Sequence, residues 1–215
     1  MKIAQVCPRY FPYIGGIETH VSEISRRLAR KGFEVEVLTT DPKGELPMEE
    51  VVNDVKVKRF KSWAPNEAYY FSKDLKRYLA ENSENYDVVH AHSYHALPAL
   101  YATQTKRNNK LVFTPFYHGT GHTLFRRFLH IPYKFIGGKI FRKADCIICV
   151  STHEKNLIVR HFTVNEEKVK VIPSGLDQRE FDDVKNLPRD VREILYVGRL
   201  EEYKGVQYVI KALAR

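Results

Sequence analysis

Short apolar strands alternate with amphipathic helical stretches along most of this chain, and no other feature restricts its fold as strongly. Lys2 to Val6 reads as a buried strand and Glu34 to Thr40 as the next. Between them Ile17, Val21, Ile24 and Leu28 recur at spacings of four, three and four, so one helix face lies there and ends at Gly32. The alternation continues with a strand at Val55 to Phe60, a helix at Tyr69 to Leu79 and a strand at Tyr86 to Ala91. A helix at His95 to Thr105 and a strand at Leu111 to Thr114 follow. Residues 122–143 read as mainly helical, with Pro132 expected to bend or break any single long helix. Cys146 to Val150 (strand), Thr152 to Phe162 (helix) and Val169 to Ile172 (strand) close the series. Such a pattern predicts an α/β fold, a parallel sheet with helices on both faces. Ligands of these sheets gather outside the carboxyl ends of the strands.

The pattern is interrupted once. Residues 174–190 turn polar and Pro-containing, which reads as an interdomain connection. After it comes the strand-like run Ile194-Leu195-Tyr196-Val197, then Gly198-Arg199-Leu200, Lys204-Gly205 and a helix-like segment to Arg215. A strand, a glycine turn with two cations and a helix make an anion site suited to a diphosphate. The chain thus divides into a first domain over residues 1–173, a connection over 174–190, and residues 191–215 as the first strand and helix of an incomplete second domain. One strand and one helix cannot build a core. That last piece is expected to dock on the first domain, to be mobile, or to pair with another chain.

With 43% hydrophobic residues the chain can bury a real core. No apolar run reaches the ~18 residues a membrane span needs. The N-terminus reads as a strand and not as a signal peptide, so a cytoplasmic location is expected. Three cysteines argue against a disulfide framework. Cys146 and Cys149 have a C-x-x-C spacing, but residues three apart on a strand point to opposite faces, so buried reduced thiols are expected.

The formal charge of +9 is unevenly placed. Val88 to Ala144 contains nine Lys and Arg, six of the nine histidines and no acidic residue. This block is either a solvated basic face or a surface for an anionic partner such as a phosphate ligand or anionic lipid. No recognition motif for nucleic acid accompanies it.

Several groups at strand ends could carry chemistry. Gly15 and Gly16 precede the first helix, either as an ordinary turn or as a place where backbone approaches an anion at a helix N-terminus. The G-x-G-x-x-G dinucleotide fingerprint is absent. His90 and His92 share a strand face, as two metal ligands would, yet no carboxylate lies nearby in sequence; lining a cleft suits them better. Tyr117-His118-Gly119 ends the next strand, and His118 reads either as a loop histidine or as a donor into a cleft.

Taken in order, these segments resemble the N-terminal half of a family-4, retaining GT-B glycosyltransferase. The resemblance rests on Arg9-Tyr10-Phe11-Pro12 with Gly15-Gly16-Ile17-Glu18-Thr19-His20, on Val88-Val89-His90-Ala91-His92, and on Tyr117-His118-Gly119. Ala144-Asp145 leading to Val150-Ser151, Val171-Ile172-Pro173-Ser174-Gly175, and Val197-Gly198-Arg199-Leu200 with Lys204-Gly205 complete it. It implies two Rossmann-like domains facing across a cleft, the first mainly for the acceptor and the second for a nucleotide-sugar donor, with UDP- or GDP-sugar as substrate. On that basis Gly15, Gly16, Arg199 and Lys204 would hold donor phosphate. His118 would touch the transferred sugar as the catalytic residue, and Glu18, His20, His90, His92, Tyr117 and Gly119 would line the acceptor side. No metal and no cofactor are implied.

The departures are specific. The family's paired glutamates late in the second domain have no counterpart, and Ser174 stands where the family usually has Asn. The expectation is therefore a truncated transferase, inactive alone, that needs a donor domain or partner chain. The alternatives are the acceptor subunit of a two-chain enzyme and a non-catalytic glycan- or lipid-binding module. Arg126, Arg127, Phe128 and Lys134 mix cations with large apolar groups without acid, which fits either a core-packing helix or contact with an anionic membrane.

Overall fold

The computed structural model describes residues 1–119, 124–178, 194–198, 200 and 204–213, and the side chains of 124–132 and 136 lie outside that description. Two compact units result, Met1–Ser174 and Gly175–Arg215.

The first unit is built on one eight-stranded sheet, in the order β3-β4-β2-β1-β5-β6-β7-β8. Its strands are β1 (Lys2–Val6), β2 (Glu34–Asp41), β3 (Glu49–Val52), β4 (Val55–Lys61), β5 (Val88–His92), β6 (Lys110–Thr114), β7 (Cys146–Cys149) and β8 (Val169–Val171). All neighbours run parallel except β3, an antiparallel edge strand on β4. Helices α1 (Gly16–Arg30), α2 (Lys73–Asn82), α3 (Leu97–Gln104), α4 (Leu124–Lys143) and α5 (Thr152–His161) connect the strands. The architecture is an α/β, Rossmann-like sheet.

Alternation along the strands sorts the core into two layers. Ala4, Val6, Leu38, Val89, Ala91, Leu111, Phe113, Ile147 and Cys149 form one large cluster with apolar residues of α2 to α5. Cys7, Val35, Val37, Val55 and Val57 form a smaller one with Val21, Ile17 and Leu28 of α1. Helices therefore cover both faces, four on one side and α1 on the other. Strand order reverses at β1, whose neighbours are β2 and β5. Doubly wound sheets open their crevice at such a reversal.

Several expectations need correction. The second helix starts at Lys73, capped by Ser72 Oγ accepting from Leu75 N at 3.2 Å, because Tyr69 and Tyr70 adopt positive φ and cannot belong to a helix. α4 runs continuously through Pro132. Cys149 is buried but Cys146 is only half-buried on the opposite face, and all three thiols are free. Burial lifts the Cys7 and Cys149 thiols to about 12.

In the second unit, Ile194 to Val197 forms no strand, and Leu195 and Val197 are 86% and 85% exposed. A strand needs a neighbouring strand to pair with, and among the described residues of this unit there is none. α6 (Val206–Leu213) forms as a helix.

Candidate functional site

Most of the residues singled out from the sequence lie at or beneath the carboxyl ends of β1, β5 and β6, beside the β1/β5 reversal. After β1 the chain reaches Gly15, the extended N-cap of α1, whose carbonyl accepts from Thr19 N at 3.0 Å. The two glycines differ in their surroundings. A Cβ on Gly15 would lie 2.4 Å from Glu18 Oε2, whereas a Cβ on Gly16 would meet nothing within 4 Å. A side chain at Gly15 would thus have to displace the Glu18 carboxylate from its place on Arg9, while Gly16 leaves open space at a helix N-terminus, where backbone N–H groups face outward.

Glu18 does not line the crevice. It is buried, and its Oε1 accepts from Arg9 Nε at 3.0 Å. Arg9 also pairs with Glu67 at 3.1 Å and lies over the Tyr13 and Tyr70 rings. The sequence reading did not single out Arg9 as a site residue, although it stands within the Arg9-Tyr10-Phe11-Pro12 segment.

Behind the turn lies a polar layer in the α1 face of the sheet. Gln5 is in register with His90, and His92 with Thr114. His90 Nε2 is 2.8 Å from Thr114 Oγ1, and His92 Nε2 is 2.7 Å from Gln5 Oε1. The two imidazoles lie 4.1 Å apart, tilted by 38°, and His20 of α1 comes within 6.0 Å of His92 and 5.0 Å of Phe116. His20 Nδ1 also faces Ser174 Oγ at 3.4 Å. Both His90 and His92 are buried, His92 completely, so they support the crevice floor and do not line it. Burial pulls His90 down to about 3, lowers His92 well below its ordinary value, and lowers His20. These imidazoles are neutral at pH 7. Among the described residues no group of three or more His, Cys, Asp or Glu side chains is placed to hold a metal ion.

The loop after β6 sorts its side chains by backbone conformation. Phe116 has φ 50° and Gly119 φ 89°, both in the left-handed region that favours glycine. Between them Tyr117 turns inward, buried, with its hydroxyl 2.8 Å from His161 Nδ1, while His118 is exposed. Tyr117 is therefore a core residue, and Gly119 is buried beneath the loop. The anchor is Glu154, three residues into α5 from its Ser151 cap. Its Oε1 accepts from Tyr117 N at 2.6 Å and its Oε2 from Val150 N at 2.7 Å. Burial raises the pKa of this carboxyl group. Only the Ser-x-x-Glu spacing at a helix start signals Glu154 in the sequence, and it points to a cap. A residue with left-handed backbone at a strand's carboxyl end, such as Phe116, is a recurrent mark of functional loops.

A cavity of about 550 Å³ lies beside α2, lined in part by Asp41, Arg59, Lys61, Asp74 and Arg77. Four of its charged groups are engaged with the protein. Asp41 accepts from Tyr13 OH, Lys43 N and Leu46 N, Arg59 donates to the Phe11 and Pro47 carbonyls, and Arg77 pairs with Asp74 at 2.9 Å. It shares no residue with the glycine turn.

Of the remaining candidates, Arg199 lies outside the described residues. Lys204 is exposed in the second unit. Arg126, Arg127 and Phe128 fall within α4, but their side chains lie outside the described residues; Lys134 is half-buried and Phe135 exposed. Among the described residues no helix is long and apolar enough to cross a membrane.

The profile described as Glycosyltransferase Family 4 matches residues 14–180, well over half of the chain. The chain belongs to that family. An uncharacterized glycosyltransferase of Methanocaldococcus jannaschii is 27% identical, with 94% of this chain and 56% of that protein aligned. The glycogen synthase of Mycobacterium tuberculosis is 29% identical, with 100% and 58% aligned. Among solved structures, sucrose-phosphate synthase from Thermosynechococcus elongatus superimposes with a TM-score of 0.74 at 21% identity, covering 99% of this chain and 59% of that one. That likeness establishes the GT-B type of fold. The family-4 chain spans less than two thirds of the length of each of these proteins.

Proposed function

We propose that this chain is the acceptor-side domain, with the beginning of the donor-side domain, of a glycosyltransferase that moves a sugar from a nucleotide-sugar donor with retention of configuration. The observation that carries the reading is the crevice at the β1/β5 reversal. There the open Gly16 turn starts α1, whose His20 lies 5.0 Å from Phe116 on the braced loop that carries the exposed His118.

In this reaction the anomeric carbon exchanges its bond to a phosphate oxygen for one to an acceptor oxygen, and the acceptor hydroxyl gives up its proton. Negative charge grows on the departing nucleoside diphosphate. Backbone N–H groups at Gly16 and the positive end of α1 suit that charge, and fixed donors act best where charge develops. His118 donates a hydrogen bond to the transferred sugar near the reacting carbon, and Glu154 fixes the backbone that carries it. The family resemblance assigns Arg199 and Lys204 as cations for the diphosphate. The nucleotide-sugar is substrate, and no cofactor is assigned. A sugar or lipid-linked acceptor would enter from the first domain. A peripheral contact of α4 with anionic lipid accompanies this reading, supported by the acid-free stretch and by exposed Phe135.

The test is His118→Ala in a protein carrying both domains, assayed with UDP- and GDP-sugars, with product anomers read by NMR. Loss of transfer by about a hundredfold or more, with the fold intact, is expected. Near-normal transfer removes His118 from the site, and inverted product removes the stereochemical assignment.

A further inference from the structure

Between β4 and α2 the chain builds a feature that the reading above leaves unused. Trp63 and Phe71 exchange two backbone hydrogen bonds, each 2.9 Å, closing residues 64–70 into a loop. Their rings lie 5.4 Å apart and tilted by 35°; Tyr69 backs Phe71 at 6.2 Å and itself rests on Tyr133 of α4 at 5.9 Å. Trp63 is nevertheless 67% exposed and Phe71 42%. Two adjoining aromatic rings presented to water form a ledge.

The loop is held firmly. Asn66, Glu67, Tyr69 and Tyr70 all have positive φ, a costly backbone for side chains of this size. Its clamps are Leu97 N donating to Tyr69 O at 2.8 Å, Ser72 Oγ donating to Lys61 O at 2.8 Å, and Arg9 pairing with Glu67. The same Arg9 binds Glu18 beneath the glycine turn. One guanidinium therefore ties the ledge to the crevice, and the two stand at the carboxyl ends of β4 and β1, with β2 between them.

We propose that the Trp63–Phe71 ledge is a subsite for a pyranose ring of the acceptor. The flat aromatic faces take the C–H face of the sugar through burial and dispersion. Exposed Glu67 and Asn66 beside them meet hydroxyl groups, which need both acceptors and donors. The Arg9 guanidinium that holds this loop is already paired with Glu67 and Glu18, which disfavours an anionic lipid surface as the occupant. The assignment to an acceptor rests on the transferase reading; binding of a pyranose does not.

Trp63 is the only tryptophan in the chain, so its emission reports this ledge alone. The experiment titrates the 215-residue protein with methyl glucosides, mannosides, galactosides and N-acetylglucosaminides of both anomers. A saturable change in emission with at least one pyranoside is expected, weakened about tenfold by Phe71→Ala and by Glu67→Gln. Phe71→Leu, which keeps most of the volume, guards against a folding defect and should weaken binding without lowering the urea midpoint. A response to no pyranoside, or only to vesicles of anionic phospholipid, overturns the proposal. The two readings fail separately. Pyranoside binding without transfer spares the ledge and sinks the reaction, whereas transfer with an unchanged acceptor KM in Trp63→Ala does the reverse.

Discussion

Glu154 holds two backbone N–H groups from separate strand ends. Glu154→Ala removes both of these bonds in a buried place, and a loss of about 2–4 kcal/mol in urea unfolding is expected. Glu154→Gln keeps one acceptor and should lose less, while still disturbing the His118 loop. The glycine pair gives a sharper contrast. Gly15→Ala drives a methyl group into Glu18 and should cost about 1–3 kcal/mol. Gly16→Ala meets open space and should leave thermal stability unchanged or slightly raised, while transfer falls. Equal effects of the two substitutions on stability would contradict the distinction. At this scale the sequence was legible in type more than in role. It placed Gly16 and His118 at the crevice, but a residue pattern cannot tell an inward Tyr117 from an outward His118 when two left-handed residues set the turn. Nor can it show that Glu18 folds back onto Arg9, since nine residues separate them in the chain.

The strands and helices carry their own tests. β5 presents His90 and His92 to a dry layer that lowers the pKa of both. The unfolded chain takes up these protons near pH 6.5, but the folded chain does not. Stability is therefore full above that pH and is lost as pH falls, by about 1.4 kcal/mol per pH unit for each histidine. Glu154 has the opposite sign: its raised pKa favours the fold at acid pH and costs stability as pH rises through it, in a lower window. Urea unfolding at pH 7.5 and 5.5 should show a drop of about 2–3 kcal/mol for the pair, of which His92→Gln removes about half. A flat profile would contradict the dry layer. In α4, a Cβ on Gly137 would lie 2.3 Å from the Tyr94 ring, whereas the nearest atom to one on Gly138 is 3.6 Å away. Gly137→Ala should cost about 1–3 kcal/mol in thermal unfolding and Gly138→Ala much less. Strand and helix order could be read because apolar periodicity is local. The start of α2 and edge strand β3 could not, because positive-φ tyrosines and a short charged strand are fixed by their tertiary partners.

Over the whole molecule, the two units differ in burial. Met1–Ser174 has a two-layer core, while Gly175–Arg215 exposes Leu195, Val197, Leu200, Tyr208, Ile210 and Leu213. Exposed apolar surface of this kind marks an interaction surface. Limited proteolysis should trim the second unit first and leave a stable fragment close to Met1–Ser174; early cutting inside the sheet would contradict that division. The most direct measurement mixes the 215-residue chain with a separately produced family-4 donor domain and a panel of nucleotide-sugars, and follows new glycosides by mass spectrometry. Sugar transfer that needs both proteins and is lost with His118→Ala is the expected result. No transfer from any donor, with both proteins folded and associated, would contradict the assignment of this chain as the acceptor side of a glycosyltransferase.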